Sequence, residues 1–149
     1  MKLGLDFHGV VEAYPKFFQP ITKTLINAGH QVHIITGAKY SEEIYYKLNY
    51  ECGLLKGYTH FFSIVDHHTK QGTNIWYDEK GTPWMDEGTW NKTKGHYCDK
   101  ENIDLHIDDS MKYLEHFTTP FVHFVPGDAF FKDLTEKIEK TFNIRIEGN

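Results

Sequence analysis

Apolar runs and turn signals alternate along the chain. A first run over residues 2–7 carries Leu3, Leu5 and Phe7 and predicts a strand that ends close to Asp6. Phe17, Phe18, Ile21, Leu25 and Ile26 then fall at i, i+4 and i+8 spacings, the mark of a helix with one buried face. Pro15 suits its first turn and Gly29 the position just past its end. The β-branched run over 31–37 stops at Gly37, and Ser41, Glu42 and Glu43 open a second helix through Ile44, Tyr45, Leu48 and Cys52 to Gly53. A third apolar run covers 60–65.

Between Asp66 and Asn91 the pattern changes. Residues 73–77 and 82–85 flank Asp78, Glu79, Lys80 and Gly81, which predicts a β-hairpin interrupting the strand–helix alternation. Beyond it the pattern gives a helix over 93–102, a strand over 104–107, a helix over 111–117, a strand over 121–125 and a last helix over 129–142. Near-continuous apolar strands separated by amphipathic helices imply a sheet covered on both faces. The expected fold is a three-layer α/β/α sandwich with a mostly parallel, five-stranded, Rossmann-like sheet. One domain is expected over 1–149, with the hairpin insertion at 66–91.

Composition narrows the function classes. A chain of 149 residues can bury roughly two-thirds of its unfolded surface in one core. The formal charge is −5, and the sixteen Lys and Arg are scattered, so duplex nucleic acid and anionic membranes find little to hold. There is no signal-peptide pattern and no apolar run of spanning length, which makes a soluble cytoplasmic protein the expectation. Cys52 and Cys98 are far apart, which points to neither a disulfide framework nor a zinc site. The ten histidines lack the spacing of a transition-metal site.

In an open parallel sheet, ligands bind outside the carboxyl ends of the strands. The polar residues there are Asp6, Thr36 with Gly37, and Asp108, Asp109 and Ser110, with Lys94 opening the helix that leads into the fourth strand. Singly these are ordinary caps and turn formers. Together they bring three carboxylates, a hydroxyl with a glycine turn and an amine towards one crevice, and three carboxylates repel unless a cation sits among them. Oxygen donors beside a phosphate suit Mg²⁺.

The set D-F-H-G-V-V at 6–11, I-I-T-G at 34–37, Lys94, and L-H-I-D-D-S at 105–110 resembles the four ordered motifs of the haloacid dehalogenase superfamily, mostly phosphotransferases. The resemblance spans nearly the whole chain. It implies a Mg²⁺-dependent phosphatase in which Asp6 is the nucleophile and a metal ligand. His8 then offers its backbone carbonyl to the metal and its side chain, in a place usually held by Asp, as acid/base. Thr36, Gly37 and Lys94 would hold the phosphoryl oxygens, with Lys92 the alternative to Lys94. Of the acidic pair, Asp109 is favoured for the metal and Asp108 for a supporting role beside Lys94. The replacement of Asp by His8 leaves a second expectation open, a weak or inactive member that binds phosphate and Mg²⁺ as a regulatory module.

With so little chain available for a cap, either a second copy in a homo-oligomer or a large substrate would cover the crevice. The aromatic residues Trp76, Tyr77, Trp84 and Trp90 could stack on a nucleobase or pack the hairpin onto the body. The expected partner is a phosphorylated small molecule, with a nucleotide or a nucleic-acid-end phosphate as first guess, an assignment towards which the resemblance to small deoxyribonucleotidase-like members also leans. Asp66, His67 and His68, following the third strand, are further candidates to touch it.

Overall fold

Strand β1 (Lys2–Leu5) is the centre of a five-stranded sheet, with β2 (Gln31–Thr36) and β3 (His60–Ser63) on one side and β6 (Leu105–Asp108) and β7 (Phe121–His123) on the other. A separate pair, β4 (Trp76–Tyr77) and β5 (Pro83–Trp84), forms the expected antiparallel hairpin. The computed structural model describes residues 1–146, so positions 147–149 of the expected domain lie outside the described residues. All five main strands run parallel, and the chain steps outward from β1 to β2 to β3 before crossing back to β6, beside β1, and on to β7. The architecture is a Rossmann-like α/β fold.

Register explains how the layers divide. Leu3, Leu5, Val32, Ile34, Leu105 and Ile107 share one face and pack on α1 (Pro15–Asn27), α2 (Glu42–Tyr46) and α5 (Asp128–Phe142). Phe18, Ile21, Leu25, Leu134, Ile138 and Phe142 from those helices are 2% exposed or less, and each contributes roughly 1.5–3 kcal/mol of burial. On the opposite face the alternate residues are Gly4, the polar His33, His106 and Asp108, and the apolar Ile35. There α4 (Glu87–Lys100) packs a smaller core of Ile35, Cys98 and Ile103.

Four expected boundaries are corrected. Strand β3 stops at Ser63, and Ile64 and Val65 begin α3 (Ile64–Lys70), because the Ser63 hydroxyl accepts from the Asp66 amide at 3.1 Å and caps a helix there. The insertion is therefore narrower than 66–91. It also ends early, since Asp86 accepts from the Thr89 amide at 2.9 Å and α4 starts at Glu87, well before residue 93. Residues Met111–His116 form a 3₁₀ segment instead of an α-helix, and β7 ends at His123. Cys52 and Cys98 are buried free thiols, and no helix among the described residues is long and apolar enough to cross a membrane.

Candidate active site

The sheet order reverses at β1, whose neighbours are β2 on one side and β6 on the other, and a crevice opens beyond the carboxyl ends of these strands. Its volume is about 490 Å³. Asp6, His8, Thr36, Gly37, Lys94, Asp108 and Asp109 all line it, so these residues of the four motifs arrive at one place.

Asp6 follows β1 directly, and its amide donates to the Ile107 carbonyl at 3.0 Å, which locks the strand end to β6. The chain then turns: His8 at φ −69°, ψ 130° and Gly9 at φ 79°, ψ −6° have the angles of a type II turn. Only glycine takes that second position without strain, and a side chain there would also collide with the Asp109 carboxylate. Phe7, Val10 and Val11 are buried on either side of the turn, so it is held from below by the core.

Lys94 reaches the site from α4 and is 2% exposed. Its ammonium donates to Asp6 Oδ1 at 3.0 Å and to Asp108 Oδ2 at 2.7 Å, and lies 4.5 Å from the centre of the Tyr113 ring. Burial alone would favour the neutral amine, but the charges of Asp6 and Asp108 outweigh it and hold Lys94 protonated. Lys92, the alternative, is exposed and lines a different groove with His67, His68 and His96.

Asp108 is fully buried and fully engaged. It accepts from Lys94, from His106 Nε2 at 3.0 Å and from the Ser110 amide at 3.1 Å. Burial pushes its carboxyl up, yet the His106 hydrogen bond and the Lys94 charge prevail and hold it below its ordinary value. His106 is itself kept neutral, chiefly by burial, so its proton sits on Nε2 facing Asp108, while Nδ1 is buried without a partner. The sequence assignment had passed over His106. Its position two residues before Asp108 on a strand, where alternate side chains share a face, was the available signal.

Asp6 is pushed in the other direction. Burial raises its carboxyl, Lys94 pulls against this, and the charge of Asp108 and contact with Asp109 add to the rise. Asp6 and Asp108 thus share one buried ammonium, and with Asp109 close by the group is short of two positive charges when all three carboxylates are ionised. One oxygen from each of Asp6, Asp108 and Asp109 lies within 4.8 Å of the others. Asp109 is the exposed member of the three, and it stands at the open side of the crevice.

On the far wall, Thr36 is fully buried and its hydroxyl oxygen accepts from the Ala38 amide at 3.2 Å. The indole of Trp90 lies against Gly37 so closely that an added Cβ would stand 2.6 Å from the ring. Trp90 Nε1 donates to the Tyr113 hydroxyl at 3.2 Å. His8 turns its imidazole to the rim, half exposed, with Nδ1 3.1 Å from Glu12 Oε1. Glu12 also lies 3.6 Å from Lys47.

Three sequence candidates fall elsewhere. His68 bonds Thr73 and Thr93, His67 lines the groove around Lys92, and Asp66 accepts from the Tyr40 amide, all outside the crevice. They belong to α3 and its packing because the third strand ended earlier than its apolar pattern implied. Of the four aromatics, Trp90 lines the crevice and Trp84 a cavity adjoining it, whereas Trp76 and Tyr77 are exposed on the hairpin. In comparisons with known proteins, the chain matches no family model, no curated protein and no solved structure.

Proposed function

We propose that the protein is a phosphomonoester hydrolase of the haloacid dehalogenase type, dependent on Mg²⁺ and working through a phosphoryl group carried on Asp6. The observation that carries this is Lys94, a buried ammonium shared by a carboxylate at the end of β1 and one at the end of β6, beside an acidic group with two negative charges to spare. A carboxylate and a phosphate dianion repel, so the chemistry needs such cancellation before an oxygen of Asp6 can approach phosphorus.

The donor set fits a hard divalent cation: it is all oxygen and crowded with negative charge. Asp6, Asp109 and the backbone carbonyl of His8 are the groups that would hold it, with Asp108 committed to Lys94 and His106. Bound there, Mg²⁺ would supply charge neutralisation for the transferring phosphoryl oxygens.

The residues then divide the work. An Asp6 oxygen attacks phosphorus, and the bond to the ester oxygen breaks. Lys94 keeps Asp6 oriented and balances charge, and Asp108 and His106 keep Lys94 in place. The Thr36 hydroxyl, whose oxygen already accepts from Ala38, has its proton free for a phosphoryl oxygen. His8 gives a proton to the departing oxygen. In the second half, water attacks phosphorus, the Asp6–phosphorus bond breaks and His8 takes the proton from the water. Glu12 accepts from His8 Nδ1 and keeps a proton there, so Nε2 does the exchange: the imidazolium gives its Nε2 proton to the departing oxygen, and the neutral ring takes one back from water.

The test is turnover of a phosphomonoester panel with and without Mg²⁺ by the wild type, Asp6→Asn and His8→Asp. Wild-type turnover lost in Asp6→Asn is the expected result. Turnover that survives Asp6→Asn overturns the nucleophile, and turnover seen only in His8→Asp favours the inactive binding module.

A further inference from the structure

A groove of about 370 Å³ runs between α3 and α4 and shares no lining residue with the acidic crevice. We propose that it is a second, anion-binding site, and that it takes a small extended anion carrying several phosphoryl groups, an inorganic oligophosphate. The site stands independently of the hydrolase reading.

Helix periodicity builds it. Lys92, His96 and Lys100 fall at i, i+4 and i+8 on α4, so their side chains share one face, and all three are exposed and line the groove. His67 meets them from α3. At the rise of an α-helix, the stripe from Lys92 to Lys100 covers about 12 Å. A lone phosphate cannot span that length, whereas an anion with charge spread along it meets one donor after another.

The protein leaves this charge unanswered. Glu101 is the one carboxylate among the described lining residues, and neither Lys92 nor Lys100 is in an ion pair. Like charges act on each other instead. Burial first and then Lys100 hold the His67 imidazole below its ordinary pKa, and burial, His67 and Lys92 do the same to His68. In a chain of formal charge −5, so many cations in one groove are a local concentration.

Hydrogen bonding selects the ligand further. The Thr89 and Thr93 hydroxyls already donate, to Asp86 and to the Thr89 carbonyl, and His68 is engaged at both nitrogens by Thr73 and Thr93. What remains for a guest is the two ammonium groups, the Gln71 amide and the rings of His67 and His96, a set dominated by donors. Phosphoryl oxygens only accept, and charge-assisted bonds to them are the strong kind. Phe62 and Tyr97, stacked 4.1 Å apart, also line the groove and give these contacts an apolar flank. Carboxylates close both ends of the stripe, with Asp86 and Glu87 before it and Asp99 and Glu101 beside Lys100. A long polyanion such as a nucleic-acid strand would meet repulsion on leaving it, so the anion is short.

The test is calorimetric titration of the full chain with sodium tripolyphosphate and with inorganic phosphate, at equal ionic strength and in EDTA so that no metal bridges an anion to the acidic crevice. The wild type is compared with the double variant Lys92→Gln/Lys100→Gln and with Lys112→Gln, an exposed lysine that lines the crevice instead. Tripolyphosphate should bind about tenfold or more tightly than phosphate, and the double variant should weaken it by about tenfold or more, in keeping with two exposed charge pairs. Lys112→Gln should leave it within about twofold. The NMR signals of His67 and His96 should shift as tripolyphosphate is added. No binding by the wild type, binding that the double variant leaves intact, or binding that Lys112→Gln removes would overturn the site. Equal affinity for phosphate, or tighter binding of an oligothymidylate, would overturn the short, extended anion as its ligand.

Discussion

Lys94→Met removes the one buried cation between two carboxylates and keeps most of the aliphatic volume. At 3.0 Å from Asp6 and 2.7 Å from Asp108, the ammonium gains roughly 5–6 kcal/mol of attraction from each at an effective dielectric near 20. Desolvation of a side chain only 2% exposed cancels several kcal/mol of that. Breaking a buried pair from one side typically costs about 3–5 kcal/mol, because the orphaned charges stay buried. In a chain of this size that is a fall of roughly 6–20 °C in Tm. In the variant, burial and mutual repulsion raise the two carboxyl pKa values above their unfolded ones. The folded state then binds more protons, so the deficit should shrink as the pH is lowered from 7 towards 5. Adding Asp108→Asn to Lys94→Met should recover part of the loss, since it removes one stranded charge. Urea denaturation of the wild type, both single variants and the double variant gives the coupling energy directly. A Lys94→Met cost below about 1 kcal/mol at pH 7, or a coupling near zero, would refute the shared-cation arrangement.

Three further outcomes are expected. His33 is 1% exposed, stacked 4.1 Å from His60, and its pKa is lowered to about 4, first by burial and then by the charges of His60 and Lys2. The stability it contributes is present above pH 6.5 and is lost as the pH falls towards 4, roughly 1–3 kcal/mol over that window, and a His33 ring that titrates near 6.5 by NMR would contradict this. Gly9→Ala should cost about 1–3 kcal/mol through the positive φ and the collision with Asp109, and should abolish any rise in Tm on adding Mg²⁺; an unchanged metal response would count against Asp109 as a ligand. Glu12→Gln should lower kcat by about tenfold with little change in KM, because the His8 tautomer is no longer fixed; equal kcat would remove Glu12 from the mechanism.

The sheet was legible because its strands are short apolar runs bounded by turn residues, and their polar ends announced the crevice before any geometry was known. Asp6, Thr36 and Asp108 meet there because parallel strands bring their carboxyl ends to one edge, and Lys94 joins them from α4. The helix at Ile64–Lys70 was hidden for the opposite reason. Ile64 and Val65 prolong the apolar run of β3, and hydrophobicity alone does not mark where an extended chain coils; the Ser63 cap does. Likewise Trp90 and Asn91 read as the end of a loop, until the Asp86 cap is seen to start α4 ahead of them. His106 escaped because a buried histidine in a strand is usually packing, even though its place two residues before Asp108 puts the two side chains on one face of β6.

The central claim is that Asp6 takes the phosphoryl group from the substrate before water does. Its most direct test is the stereochemistry at phosphorus when the wild-type protein, with Mg²⁺, hydrolyses an ester made chiral by oxygen isotopes. Two in-line displacements, first by Asp6 and then by water, predict net retention of configuration. Net inversion would mean that water attacks the ester directly, and would contradict the account.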